Sequence, residues 1–402
     1  CINRNKDLNN NSLVYLTIFI STIIYMFSKN DDYYKKQIIT YLGNKRKFVG
    51  IIEKIIKDLE DKNKKKLSIG DGFSGSGILS RVFKNNSRLL HTNDIAGYSC
   101  TLNKCYLSKP SQTTINTIKK HIDNANKFVD KEWDKNKMIY PFIQLYWSPA
   151  NPVITKKDRV FFTYENGKRI DAYMYYIINH VPEKIKHYLL APLLVEVSIH
   201  NNTNGQFSAY HKDKSGKGKY GGEKGIDLNR ITGTINLPYP IFSKQGTKKV
   251  VVSQMDTNDW VKKIPKLDLV YYDPPYNKHP YNIYYFLLDI VNNWDTTIDI
   301  PDTYRGQPKN WLKSNYCSRK KAQTSFKDLI ENTNSKYVLI SYNNGGIIPL
   351  TELDKILKQY GSVEKIPIVH KTYNKLKGIA NYKRKETKKE TKEFLWLLEK
   401  KM

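Results

Sequence analysis

Cysteine is scarce in this chain: four residues in 402 (Cys1, Cys100, Cys105 and Cys317), with no pair of close-spaced pairs. That excludes a disulfide-stapled fold and a zinc centre built from paired cysteines. Cys100 and Cys105 are read as ordinary buried thiols, and a reducing cytoplasm as the compartment. Acidic residues are also few. Asp plus Glu number 38 against 67 Lys plus Arg, a net +29. Part of that excess belongs to a background rich in Lys, Asn, Ile and Tyr throughout; the rest asks for a polyanionic partner, most simply nucleic acid. Long apolar runs are missing as well. Residues 13–27, LVYLTIFISTIIYMF, are 15 uncharged residues broken by Thr17, Ser21 and Thr22, whereas a membrane span needs about 20. No small-residue cleavage site follows to make them a signal peptide. No stable membrane association is expected, and Met26 is expected to be the natural start.

The remaining chain alternates strand and helix patterns. YLGNKRKF leads into an amphipathic helix whose apolar positions are Phe48, Ile51, Ile52, Ile55, Ile56 and Leu59. LSIGDGFSGSGILSRVF then reads as strand, glycine loop and helix, and RLLHTNDIAG as a second strand ending in Asp94. This is the first half of a doubly wound α/β sheet. Residues from about 110 to 255 change character, with long helical patterns between Glu165 and His200 followed by a Gly- and Lys-rich segment, AYHKDKSGKGKYGGEKGIDLNR. That segment is read as a part unlikely to be rigid without a partner, either gripping DNA or merely solvated. GKGKYG within it matches a dinucleotide glycine pattern by letter alone, since no apolar strand precedes it. The sheet resumes with YVLISYNN and a helix, LTELDKILKQY, and closes with an expected antiparallel pair, EKIPIVH and EFLWLL. Between those two, residues 371–392 carry nine Lys or Arg against two Glu and are expected to form a phosphate-facing hairpin arm. The expected division is an N-terminal extension (1–40), a first catalytic part (41–109), a target-recognition insert (110–255) and a second catalytic part (256–402).

Two stretches carry chemistry. In the glycine loop, Gly75 and Gly77 let backbone amides approach a ligand where a Cβ would clash, and the following helix presents its amino end. Asp94 stands 23 residues after Asp71, near the spacing of about 20 at which a second-strand acid meets the ribose of a nucleoside cofactor. The other stretch is YYDPPYNKHPYNIYYF, residues 271–286. Leu267, Leu269, Val270, Tyr271 and Tyr272 form a short buried strand, so Asp273 stands at its carboxyl end. Pro274 and Pro275 remove two backbone donors and leave the chain in a stiff turn with bare carbonyls, which holds Asp273 and Tyr276 in place.

Glycine loop, second-strand acid and Asp-Pro-Pro-Tyr, in that order, resemble the S-adenosylmethionine-dependent N6-adenine DNA methyltransferases, alpha group, to which Dam-like enzymes belong. YLGNKRKF looks like that family's first cofactor motif, DGFSGSG its glycine motif and YYDPPY its catalytic motif, and the resemblance runs over roughly residues 40–400. Gly72 and Ser74 depart from it, where an aliphatic residue and an alanine are commoner. The resemblance implies a Rossmann-like methyltransferase fold with a largely helical recognition insert, S-adenosylmethionine as cofactor and double-stranded DNA as partner. A cognate restriction endonuclease acting separately is a further partner the family implies. It implies Asp273, Pro274, Pro275 and Tyr276 as the catalytic group. Tyr41, Gly43, Asn44, Lys45, Asp71, Phe73, Gly75, Gly77, Asp94, Ile95 and Asp273 become the cofactor-binding set, with Gly43 to Arg46 near the methionine part. Lys278 and His279 guard a flipped base, touch phosphate or are plain loop residues. No Pro-Cys pair supplies the nucleophile that cytosine C5 methylation needs. Readings left open are cytosine N4 methylation, an rRNA guanine-N2 methyltransferase and a catalytically silent DNA-binding homologue.

Overall fold

The computed structural model describes residues 31–132, 135, 137–309, 313–368 and 392–401. The expected start at Met26 and all of the basic arm except Lys392 lie outside them. Seven strands form one sheet among the described residues: β1 (Ser68–Asp71), β2 (Leu89–Asp94), β3 (Val250–Gln254), β4 (Leu267–Tyr272), β5 (Ser335–Asn343), β6 (Gly361–Ile368) and β7 (Glu393–Lys400), ordered β3-β2-β1-β4-β5-β7-β6. The first five are parallel, and β7 lies antiparallel between β5 and β6. The doubly wound sheet with an antiparallel closing pair is therefore as expected.

Alternation along β4 explains the layers. Leu269 and Tyr271 pack on one face against helices α1 (Val49–Asn63) and α2 (Ile78–Asn85). Val270 and Tyr272 pack on the other, where the later helices of the chain lie. Both faces are covered, which is why the strand is apolar or aromatic from Leu269 onward, while Asp268 near its start pairs with Lys65 at 2.6 Å. Helix α3 (Gly97–Tyr106) follows β2, and the insert supplies α4 (Gln112–Glu132), α5 (Tyr164–His180) and α6 (Glu183–Ile199). Beyond β4 come α7 (Tyr281–Asn293), α8 (Ala322–Asn332) and α9 (Leu350–Tyr360). Phe326 of α8 and Leu353 of α9 sit in the core under Val270 and Tyr272. No helix among the described residues is long and apolar enough to cross a membrane.

The structure adds three contacts to the expected layout. The buried Arg81 guanidinium on α2 donates to the carbonyls of Tyr33 (2.6 Å), Lys36 (3.0 Å) and Gln37 (2.6 Å), so residues 33–37 are bound to the sheet's helical layer. Val250–Gln254 is an edge strand pairing with β2. Ile122, Phe142, Trp147, Tyr173 and Leu189 share one apolar cluster with Phe286 and Leu288 of α7. The Gly- and Lys-rich segment is tied at its base. The fully buried Asn202 side chain donates to the Val160 carbonyl at 3.0 Å and accepts from the Gly221 amide at 3.0 Å. Arg230 adds bonds to the carbonyls of Ile199, Asn201 and Thr203.

Candidate active site

β2 departs from β1 in one direction and β4 in the other, so the carboxyl ends of β1 and β4 flank the topological switch point, where open α/β sheets bind ligands. Asp71 ends β1, is in register with Tyr271 of β4, and Asp273 follows two residues later. A cavity of about 700 Å³ opens there. Of the predicted site residues, Tyr41, Gly43, Asn44, Lys45, Asp71, Phe73, Gly75, Asp94, Ile95, Asp273 and Pro275 line it. Pro274, Tyr276 and Gly77 are not among its lining residues, nor are Lys278 and His279, which are exposed.

The centre of the site is an ion pair that joins residues 228 positions apart. Asp273 Oδ2 lies 3.0 Å from Lys45 Nζ, and Glu393 Oε2 at the head of β7 lies 3.9 Å from the same ammonium. Lys45 also donates to the Tyr276 hydroxyl at 2.8 Å and to the Gly43 carbonyl at 3.0 Å. Its side chain is almost wholly buried, with the rings of Phe48 and Tyr276 about 5.5 and 5.3 Å from its ammonium. Burial alone would lower the lysine's pKa, but the two carboxylates outweigh it and hold the group above its ordinary value. Burial likewise pushes the Asp273 carboxyl up to about 6, against the pull of Lys45. Its second oxygen, Oδ1, is buried without a hydrogen-bond partner. A buried, unpaired carboxylate oxygen is costly and wants a donor. Tyr276 is buried edge-on against Tyr342, with ring centroids 5.5 Å apart.

The glycine loop is built around Asp94. Its Oδ2 accepts from the Gly75 amide at 2.7 Å and its Oδ1 from the Ala96 amide at 2.9 Å, so the second-strand acid fixes the loop as well as facing the cavity. Gly75 has φ +51°, and a Cβ there would come within 2.8 Å of the Tyr41 ring, a contact no other residue could make without displacing the tyrosine. Gly72 has a similar cause: a Cβ would lie 2.7 Å from the Tyr272 ring, which accounts for a glycine where an aliphatic residue is commoner. Phe73 packs edge-on to Tyr316 at 5.3 Å. Asp71 accepts from the Ser80 hydroxyl at 2.6 Å, and burial pushes its carboxyl up to about 7. Tyr41 stacks on Tyr285 and Tyr281 at centroid distances of 4.6 and 5.3 Å, giving the cavity an aromatic wall.

Sequence reasoning missed the contribution of α7, which turns Asn282, Phe286, Asp289, Ile290 and Asn293 to the cavity. The signal was present, since these positions repeat at helical spacing just after the Asp-Pro-Pro-Tyr turn. Glu393 carried no local signal at all.

Comparison with known proteins agrees with this geometry. The family model of the D12 class N6 adenine-specific DNA methyltransferases matches residues 41–356. The type II methyltransferase M.NlaIII of Neisseria lactamica is 27% identical over 367 residues, which cover 90% of this chain and 99% of that protein. The type II methyltransferase M.CviAII of Paramecium bursaria Chlorella virus 1 is 27% identical over 349 residues, 83% of this chain and 92% of that protein. The type II methyltransferase M.FokI of Planomicrobium okeanokoites is 27% identical over 379 residues, 90% of this chain and 52% of that protein.

Proposed function

Since the chain belongs to the D12 class of N6 adenine-specific DNA methyltransferases, we propose that Asp273 receives a flipped-out adenine of double-stranded DNA beside S-adenosylmethionine held in the cavity. The observation that carries this reading is Asp273, which lines the cavity at the switch point with its Oδ2 paired to Lys45 and its Oδ1 buried without a hydrogen-bond partner.

Three features fit the cofactor. Gly75 lines the cavity in a left-handed turn held by Asp94, and Tyr41 and Tyr281, stacked on one another, give an aromatic wall for a purine. Although the chain as a whole is strongly basic, carboxylates outnumber ammonium groups seven to two among the cavity's lining residues. Such a lining suits a ligand carrying a sulfonium and an ammonium group. S-adenosylmethionine supplies, when bound, a methyl group on a sulfonium that departs without acid catalysis. The protein's part is then chiefly alignment, which can contribute ~7–11 kcal/mol.

Adenine N6 is a weak nucleophile because its lone pair is delocalised into the ring. Flipping the base costs a few kcal/mol of stacking. Asp273 Oδ1 and the bare carbonyl of Pro274 accept the two N6 hydrogens, localise the lone pair and stabilise the positive charge that develops on N6. Lys45 keeps Asp273 ionised and in one rotamer. Tyr276, to stack on the base and recover ~1–3 kcal/mol, exchanges its present hydrogen bond to Lys45 for the ring contact. Asp94, with Gly75, holds the ribose, and the basic insert and terminal arm grip phosphate.

The enzyme so described acts in the cytoplasm on one short DNA site, beside a restriction endonuclease of the same specificity or for self-protection of phage DNA. Incubation with S-adenosylmethionine and DNA from a methylation-deficient host should yield N6-methyldeoxyadenosine on nuclease digestion and mass spectrometry. Methylcytosine or methylguanosine in its place would overturn the reading. Asp94→Ala should weaken S-adenosylmethionine binding about tenfold in calorimetry, and an unchanged dissociation constant would remove Asp94 from the ribose site.

A further inference from the structure

The cavity holds an acid that neither the motifs nor the mechanism above uses. Asp289 sits on the face of α7 that lines the cavity, between Phe286 and Asn293, which line it too. α7 crosses the amino end of α3, where Thr101 donates to the Asn292 side chain at 2.6 Å and a Cβ on Gly97 would meet that side chain at 2.8 Å. Asp94 ends β2 just ahead of the same helix. Two carboxylates therefore converge on one end of the cavity, while Lys45, its buried ammonium, is engaged with Asp273 and Glu393 at the other acidic centre.

We propose that Asp289 is a second ribose-binding residue, which with Asp94 takes the two vicinal hydroxyls of the cofactor's ribose. The inference rests on the cofactor reading above. Asp94 already accepts two backbone amides, from Gly75 and Ala96, so its capacity for further donors is reduced. A vicinal diol brings two O–H donors, and a second carboxylate beside Asp94 lets each hydroxyl meet its own acid. The Asp289 carboxylate lies beside the Tyr98 amide and lines the cavity. Burial first, and then the charge of Asp94, push the Asp289 carboxyl up to about 7. Two acids this close are individually unfavourable, and hydroxyl donors placed between them relieve that repulsion.

The test compares S-adenosylhomocysteine with its 2′,3′-dideoxy analogue by titration calorimetry on the full chain. Asp289→Asn keeps an acceptor for the Tyr98 amide and should weaken S-adenosylhomocysteine binding about tenfold, while the dideoxy analogue binds variant and wild type alike. If the Asn variant does not fold, Asp289→Ser, which also keeps an acceptor, replaces it. An unchanged dissociation constant for S-adenosylhomocysteine overturns the proposal, as does an equal loss for both ligands. Asp94→Asn is measured alongside: a loss there with none at Asp289 refutes only the second ribose contact. A wild type that binds neither ligand refutes the cofactor reading itself.

Discussion

Asp273→Asn should lose methyl transfer by on the order of 10²- to 10³-fold while binding S-adenosylmethionine within a few-fold of wild type. The amide keeps the shape of the side chain and one acceptor oxygen. It lacks the charge that stabilises a positive N6 in the transition state. The loss should therefore appear in the single-turnover rate and not in the dissociation constant. An Asn variant with wild-type turnover would remove Asp273 from the chemistry. The substitution also leaves the buried Lys45 ammonium with Glu393, at 3.9 Å, as its remaining carboxylate, and breaking a buried pair on one side is typically more costly than removing both partners. Thermal stability should consequently fall in Asp273→Asn and recover in the double variant Lys45→Met/Asp273→Asn, with activity absent from both.

Lys45→Met should move the acid limb of the pH–rate profile upward. In the wild type the Asp273 carboxyl titrates near 6, raised by burial and held down by Lys45. In the proposed mechanism only the ionised form stabilises the positive charge on N6, so the wild-type rate should rise with pH through about 6 and level above it. Without Lys45 the burial and the neighbouring Glu393 act unopposed, and the carboxyl titrates higher. The variant should be roughly 10²-fold slower at pH 7 and regain part of the deficit at pH 9, a recovery that a merely misfolded variant would not display. A profile of unchanged shape would show that Lys45 does not govern the charge of Asp273.

The legibility of this site follows the range of the interactions involved. Asp273 and its proline turn, the glycine loop and Asp94 were readable because strand ends, proline geometry and glycine freedom act over a few residues. The placement of Lys45 was not, because its partners Asp273 and Glu393 are brought to it by sheet order and not by spacing. Resemblance put Lys45 near the methionine part of the cofactor; the structure adds its contact with the carboxylate. β3 escaped notice because an edge strand with Val251 half exposed lacks the fully apolar run of β4. The merged core of insert and α7 was hidden for the same reason as Lys45: shared apolar clusters leave no boundary in composition. The cavity-lining face of α7, Asn282, Phe286, Asp289, Ile290 and Asn293, was an avoidable omission, since its helical spacing was in plain view.

The most direct measurement is single-molecule sequencing of plasmid DNA from a methylation-deficient host expressing either the wild type or Asp273→Asn, scored for modified bases. The geometry predicts N6-methyladenine confined to one short motif with the wild type and none with the variant. Unmodified DNA in both, or equal modification in both, would contradict the assignment of Asp273 as the residue that receives the adenine.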